Sequence, residues 1–391
     1  MKKKVLFSAS IFHALNDAAS VTVPMVFPLL YSQQFIIKKY FHIGILCNLG
    51  LLVTFLFHII LVNVSNKFEY KHMLLVSYLG ICLSLVLMTF SSVFTSFLLI
   101  YLTMRVFNSF YHSIGVAWVS KTQPSQGIDF AMGIQSGSGN LGVFAAFITS
   151  GYLAQTFGWK IPLFVWAAAG FLLGSMSFMA VRKTSTRSTE IYKPTFSSWI
   201  ETMKNIQLYI PAFIFGGACW GTTVFYAPSL LNHKFKTPLG ETGLYLALWI
   251  GIGTVMTYFF GFLSRRFGRL KILLCAFTGA TLFLYLLWIA PVKELALVSL
   301  LLFGAFLFLI FPCFQSFVGN EVPAKNLNQA FSLSANVQML TGAVVALIAG
   351  FLSDKFGINS PFLFLGMLGT IITIFYLLKS PSLAQKLSNT R

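Results

Sequence analysis

A chain of 391 residues that is 57% hydrophobic, 16% aromatic and only 9% charged falls far outside the norm for a soluble domain, where about one residue in four is charged. The formal net charge of +18 comes from 27 Lys and Arg against nine Asp and Glu. A water-soluble core is excluded. The sequence also contains no His-Glu-x-x-His, no phosphate-binding Gly-Lys-Ser/Thr loop and no Gly-x-Ser-x-Gly elbow, which leaves hydrolytic and nucleotide-driven chemistry without a foothold. No enzyme activity, cofactor or metal is expected.

Twelve apolar stretches approach or exceed the about 20 residues that a helix needs to cross roughly 30 Å of hydrocarbon. The first six run from Val5 to Tyr31, His42 to Val62, His72 to Phe94, Phe97 to Val119, Phe130 to Thr156 and Pro162 to Val181. The second six run from Gln207 to Leu231, Thr242 to Leu263, Ile272 to Ala290, Ala296 to Phe317, Ala330 to Leu352 and Pro361 to Leu378. Continuous runs of this length lack the alternation of a membrane barrel, and hydrocarbon forbids unsatisfied backbone groups, so the fold class is an all-α integral membrane protein. The first stretch follows Met-Lys-Lys-Lys like a secretory signal. It is expected to be retained, because it is too long, carries Asn16 and Asp17, and ends without a small-residue cleavage site.

The domain expectation is an N-terminal six-helix bundle over 1–181, a cytoplasmic linker over 182–205 and a C-terminal six-helix bundle over 206–391. Within the linker, Ser197 to Asn205 sets Trp199, Ile200 and Met203 beside charged residues, the pattern of a short helix lying at a membrane interface. With both termini cytoplasmic, that side receives 19 of the 27 Lys and Arg, the other side seven, and Arg105 lies inside the membrane. This is the positive-inside asymmetry; it accounts for the basic charge and makes a nucleic-acid partner unnecessary. Cys47, Cys82, Cys219, Cys275 and Cys313 fall within helices without metal-ligand spacing and read as small apolar fillers.

A signature recurs at four helix ends: Asn63 to Lys71, Gly151 to Trp159, Gly261 to Arg269 and Gly350 to Ile358, with starts separated by 88, 110 and 89 residues. Two nearly equal intervals around a longer one imply four three-helix units with an insertion at mid-chain. Gly142, Ala146 and Ser150 recur as Gly342, Ala346 and Gly350 at the four-residue spacing of closely packed membrane helices. The chain therefore divides into two parallel halves, each of two inverted units.

On these features the chain resembles the major facilitator superfamily over nearly its whole length. Gly261, Arg266, Gly268, Arg269 and Lys271 fit the family's cytoplasmic loop motif, with Arg265 at its acidic position; the resemblance implies a gating role for Gly261, Arg266, Gly268 and Arg269. The loop after the second helix has Asn63, Asn66 and Glu69 in place of the motif's Gly, Asp and Gly. His13, Asn16, Asp17, Pro24 and Pro28, with Tyr111, His112 and Gly115, then Ser136 to Gly142 and Phe157 to Lys160, resemble the fosmidomycin-resistance-type efflux permeases. Ala146 and Phe147 stand where the antiporter motif has Gly-Pro. The resemblance implies twelve helices in two pseudo-symmetric halves, alternating access, a central cavity lined by helices one, four, seven and ten, and work as a monomer.

Only Asp17 among the acidic residues and Arg105 among the basic ones lie near the middle of a span, where an ionised group is costly and marks a pathway or a pair. His13, Asn16 and Asp17 at i, i+3 and i+4 share a face, as do Arg105, Asn108 and His112 at i, i+3 and i+7. Two readings stay open. Asp17 and Arg105 form a permanent structural pair, or Arg105 binds a carboxylate or phosphonate while Asp17, His13 and His112 handle protons. His58 has no matching polar neighbour. Aligning Pro28 with Pro228 sets Gly217 opposite Asp17, so the seventh helix lacks the acid; Trp220, Thr222, Thr223 and Tyr226, with Phe311, Phe314 and Gln315, offer an aromatic cavity wall instead.

The expected substrate-binding residues are His13, Asn16, Asp17, Arg105, Asn108, Tyr111, His112, Trp220, Tyr226, Phe311 and Gln315. The expected function is proton-coupled efflux of a small amphipathic or anionic organic solute by alternating access from a multi-pass site in a bacterial inner membrane. An organic-anion uniporter or importer is the alternative, and a non-transporting receptor a more distant one. The bilayer, the solute and protons are the expected partners.

Overall fold

The computed structural model describes residues 2–64, 68–115, 118–119, 122, 128–184, 195–322 and 327–389. Asn66, in the loop after the second helix, lies outside these residues. Twelve helices of 17 to 31 residues make up the fold: α1 (Lys2–Ser32), α2 (Tyr40–Val64), α3 (Tyr70–Met88), α4 (Phe94–Phe110), α5 (Ile128–Phe157), α6 (Lys160–Val181), α8 (Ile210–Ser229), α9 (Leu239–Phe267), α10 (Arg269–Ile289), α11 (Lys293–Glu321), α12 (Leu327–Phe356) and α13 (Ser360–Asn389). Between the two sets of six lies the short α7 (Phe196–Ile206), with Thr195 as N-cap accepting from the Ser198 amide at 3.3 Å.

Nine of the described helical stretches are long and apolar enough to cross a membrane by length and composition. The long helices outside that set are α1, α4 and α5. α1 and α5 carry His13, Asn16 and Asp17, then Gln135 to Asn140, while α4, with Arg105 and Asn108, is apolar but ends at 17 residues where its π-helical turn begins.

The repeated signature has a physical cause. Gly158, Gly268 and Gly357 have φ of +87°, +85° and +94°, a region in which any side chain is strained. Each donates its N–H to the carbonyl four residues back, at 3.1, 2.9 and 3.1 Å, closing a left-handed helix cap. Each glycine carbonyl then accepts from the start of the following helix, from Ile161, Ile272 and Ser360. One residue thus ends one helix and begins the next. In the degraded loop before α3, buried Lys71 takes another role: its Nζ donates to the carbonyls of Arg182 and Thr184, both at 2.8 Å, and pairs with Glu69, capping the end of α6.

Contacts divide the chain into two compact units, Met1–Ile191 with Val224–Ala247 and Tyr192–Thr223 with Leu248–Arg391. In the first unit α1 packs against α5 and α6, α4 against α2 and α3, and α3 against α6. A Cβ at Gly142 would lie 2.6 Å from the Ala14 Cα and closer still to its carbonyl oxygen, so α5 approaches α1 at backbone distance. The second unit repeats the device: a Cβ at Gly217 of α8 would fall 2.6 Å from the Gln338 Cα of α12. Gly142→Leu should lower the thermal unfolding temperature in detergent by an amount worth about 1–3 kcal/mol or more, because the obstacle is backbone. Gly133→Leu on the same helix, where no atom lies within 4 Å of a Cβ, is the control expected to leave it unchanged.

Candidate functional site

Asp17 and Arg105 do not pair. Asp17 instead lies between two imidazoles, with Oδ2 3.1 Å from His13 Nε2 and Oδ1 3.3 Å from His112 Nε2. One turn of α1 supplies His13 and Asp17, while His112 comes from a π-helical turn, Tyr111–Gly115, that continues α4. Such wide turns recur at functional sites because they re-aim side chains out of α register.

His13 is fixed on both ring nitrogens. Its Nδ1 lies 2.7 Å from the main-chain oxygen of Gln135, which can only accept, so Nδ1 carries a hydrogen. The Gln135 amide Nε2, 2.9 Å from the same nitrogen, donates one hydrogen to the Tyr111 hydroxyl at 2.8 Å. A neutral ring protonated at Nδ1 would set the Nε2 lone pair against the carboxylate. The 3.1 Å contact therefore requires a further proton between His13 and Asp17. The Tyr111 ring stacks on His13 at 4.4 Å, and Gly139 closes the other side: a Cβ there would lie 2.6 to 2.7 Å from His13 and Asp17 Oδ2. His13, Asp17 and His112 also bring donor atoms within 4.8 Å of one another, close enough for a metal ion. No metal role is assigned.

Arg105 is only 7% exposed, and its described partners are all neutral. Nε donates to Thr54 Oγ1 at 3.1 Å and the Gly50 carbonyl at 3.4 Å, and Nη1 to Ser20 Oγ at 3.5 Å. The bare Cα of Gly50 makes room for this, since a Cβ would lie 3.2 Å from Arg105 Cγ. The ion pairs among the described residues are those of Asp17 with its two histidines and of Lys71 with Glu69, so Arg105 is a buried cation without a carboxylate. Asn108 bonds Asn16 through its amide nitrogen, 3.0 Å to Oδ1 and 2.9 Å to the carbonyl.

The sequence missed Gln135, Ser20, Thr54 and Gly50, which are unremarkable singly. It also left His58 without a polar neighbour, whereas its ring centroid is 6.3 Å from that of His112. In the second unit Trp220 packs against Trp249 at 5.6 Å and Phe308 at 6.0 Å, and Phe311 against Phe308 and Phe314. Gln315 is exposed there. Tyr226 belongs to the first unit and is fully buried. Of the gating residues, Gly268 is the left-handed cap, Arg266 lies exposed over the Phe267 ring at 5.5 Å, Gly261 has open space for a Cβ, and the Arg269 carbonyl accepts from Cys313.

Together these features define an all-helical membrane protein of the transporter fold, with ionisable side chains gathered between α1, α4 and α5. The chain belongs to the Major Facilitator Superfamily, whose family model matches residues 6–345. Over 178 residues it is 29% identical to the nitrite extrusion protein of Bacillus subtilis (strain 168), covering 44% of this chain and 42% of that protein. Over 188 residues it is 27% identical to a probable nitrate/nitrite antiporter of Thermus thermophilus, covering 44% and 40%. The match thus spans about two fifths of each of these relatives. An uncharacterised transporter of this superfamily from Methanocaldococcus jannaschii is 21% identical over 76% of this chain and 78% of its own. Among solved structures, a bacterial homolog of the human lysosomal transporter Spinster superposes with a TM-score of 0.81 at 14% identity, covering 98% of both chains. The peptide transporter POT in complex with sulfate gives 0.79 at 13%, covering 97% of this chain and 94% of that one. These two likenesses concern the fold alone.

Proposed function

We propose that this protein is a gradient-driven secondary transporter of a small anionic organic solute, coupled to protons, in which two six-helix bundles alternate access to a midplane site. The observation that carries the proposal is Arg105: a buried guanidinium whose partners among the described residues are a carbonyl and two hydroxyls. Burying a cation without a counter-ion is costly, and an anionic solute supplies what the protein does not. The two donors of a guanidinium fork suit a carboxylate or phosphonate, in keeping with the likeness to fosmidomycin-resistance-type permeases. The His13–Asp17–His112 cluster is the proton site, and the basic loop from Gly261 to Lys271 the cytoplasmic gate.

Direction has two readings. Efflux by proton antiport follows the permease likeness. Import by symport is favoured by one observation, that the Arg105 and Asp17 sites are joined by hydrogen bonds through Ser20, Asn108 and Asn16. An anion and a proton held this close attract one another. The nitrite and nitrate transport named for two relatives keeps a small inorganic oxyanion within the test. Purified protein in proteoliposomes should move at least one of benzoate, methanesulfonate, methylphosphonate, nitrite and nitrate, at a rate that responds to an imposed pH gradient. Flux indifferent to the gradient would remove proton coupling. Movement of nitrite and nitrate alone would make the solute inorganic.

A further inference from the structure

We propose that Ser20, Asn108 and Asn16 form a polarised relay through which anion binding at Arg105 and protonation of the His13–Asp17–His112 cluster reinforce each other, so that anion and proton are carried together. The inference rests on the function proposed above and fixes the sign of its coupling.

Chemistry fixes the direction of each bond. Asn108 Nδ2 faces two acceptors on Asn16, its Oδ1 at 3.0 Å and its carbonyl at 2.9 Å, so the Asn108 amide nitrogen must lie on that side. Its Oδ1 is then left to accept from the Ser20 hydroxyl at 3.1 Å, a hydrogen shared with the Asn16 carbonyl, also at 3.1 Å, while Ser20 Oγ accepts from Arg105 Nη1 at 3.5 Å. Asn16, with Oδ1 occupied, donates from Nδ2 to Asp17 Oδ1 at 3.1 Å. Every donation therefore runs from the guanidinium towards the carboxylate, and bonds aligned this way strengthen one another.

The far end of the relay senses charge. His112 Nε2 stands 3.3 Å from Asp17 Oδ1, an acceptor, and 3.4 Å from Asn16 Nδ2, a donor. Protonated at Nε2, the ring donates to Asp17; unprotonated there, it accepts from Asn16. The Asn16 amide, with two hydrogens, thus serves Asp17 in both states and His112 only when that ring is unprotonated at Nε2. An anion on Arg105 draws the guanidinium's hydrogens to itself and weakens its pull on Ser20, and each later donor gives less to Asp17, which then holds a proton more firmly. Linkage makes the effect reciprocal: a protonated cluster binds the anion more tightly. Other groups facing the cluster are His58 from α2 and Tyr111 and Arg105 from α4 and its turn. α3 brings Tyr78, stacked on Phe12, and α5 brings Gln135 and the bare backbone at Gly139.

The test measures anion affinity of the full-length protein in detergent by thermal shift at pH 5.5 and pH 8. Nitrate and methanesulfonate are the probes because both stay singly charged across that range. The wild type should bind at least one of them more tightly at pH 5.5, by about fivefold or more, the lower end of ordinary coupling between sites. In Ser20→Ala and Asn108→Ala that ratio should fall towards one. A merely structural role would weaken binding equally at both pH values. A pH ratio unchanged in both variants, or a wild type that binds more tightly at pH 8, overturns the relay while leaving the anion site standing. Binding that survives Arg105→Gln overturns the functional proposal itself. Should Asn108→Ala fail to fold, Ser20→Ala, which removes one hydroxyl, decides alone.

Discussion

Arg105→Gln should abolish anion-dependent flux and anion-induced thermal stabilisation while leaving the folded protein nearly as stable as the wild type. The neutral amide can still bond Thr54 and Ser20, but it offers a solute no charge-assisted contact. Two such bonds are worth about 3 kcal/mol, or about 10²-fold in affinity. Stability distinguishes this from a structural ion pair. Were Arg105 the partner of Asp17, removing it would strand a buried carboxylate at a cost of about 3–5 kcal/mol. Asp17 keeps His13 and His112 in the variant, so that penalty does not arise. A Tm that collapses in Arg105→Gln, at a pH where the wild type is stable, would return the residue to a structural role. Arg105→Lys should recover only part of the affinity, because an ammonium keeps the charge and loses the planar fork.

That distinction was only half visible in the sequence. The helices were legible because about 20 apolar residues in a row have few alternatives, and the Phe-Gly ends of α5, α9 and α12 because a left-handed cap demands glycine. The polar stripes of α1 and α4 were also legible, since an ionisable residue in an apolar run is conspicuous. Partner choice was not. Asp17 and Arg105 both stand near the middle of a span, but depth does not fix rotation, and the π turn after Phe110 brings His112 rather than Arg105 onto Asp17. Thr54, Gly50 and Ser20 were illegible because a small polar residue in a helix ordinarily bonds its own turn, as Thr54 also does with Gly50. Gln135 escaped notice for a different reason: the decisive atom on α5 is its main-chain oxygen, which no residue type announces.

Asp17→Asn separates substrate recognition from energy coupling. The carboxylate is what makes a second proton on His13 necessary. With an amide in its place, the side-chain nitrogen can donate to His13 Nε2, and the ring is satisfied in its neutral form with Nδ1–H still on the Gln135 carbonyl. The extra proton then has no reason to bind. Arg105 and its neutral partners are untouched, so the variant should still bind the anion and still exchange labelled for unlabelled anion across a vesicle membrane. What it should lose is accumulation driven by a pH gradient, which falls to the equilibrium level set by membrane potential alone. The pH dependence of anion affinity should flatten over the range around an imidazole's ordinary value of about 6.5. His13→Gln should act in the same direction. If Asp17→Asn continued to concentrate anion against its gradient in response to pH, the proton would have to enter elsewhere. The nearest further imidazole is His58, whose Nε2 is buried without a hydrogen-bond partner, and His58→Gln in the Asp17→Asn background would then be the variant that stops accumulation.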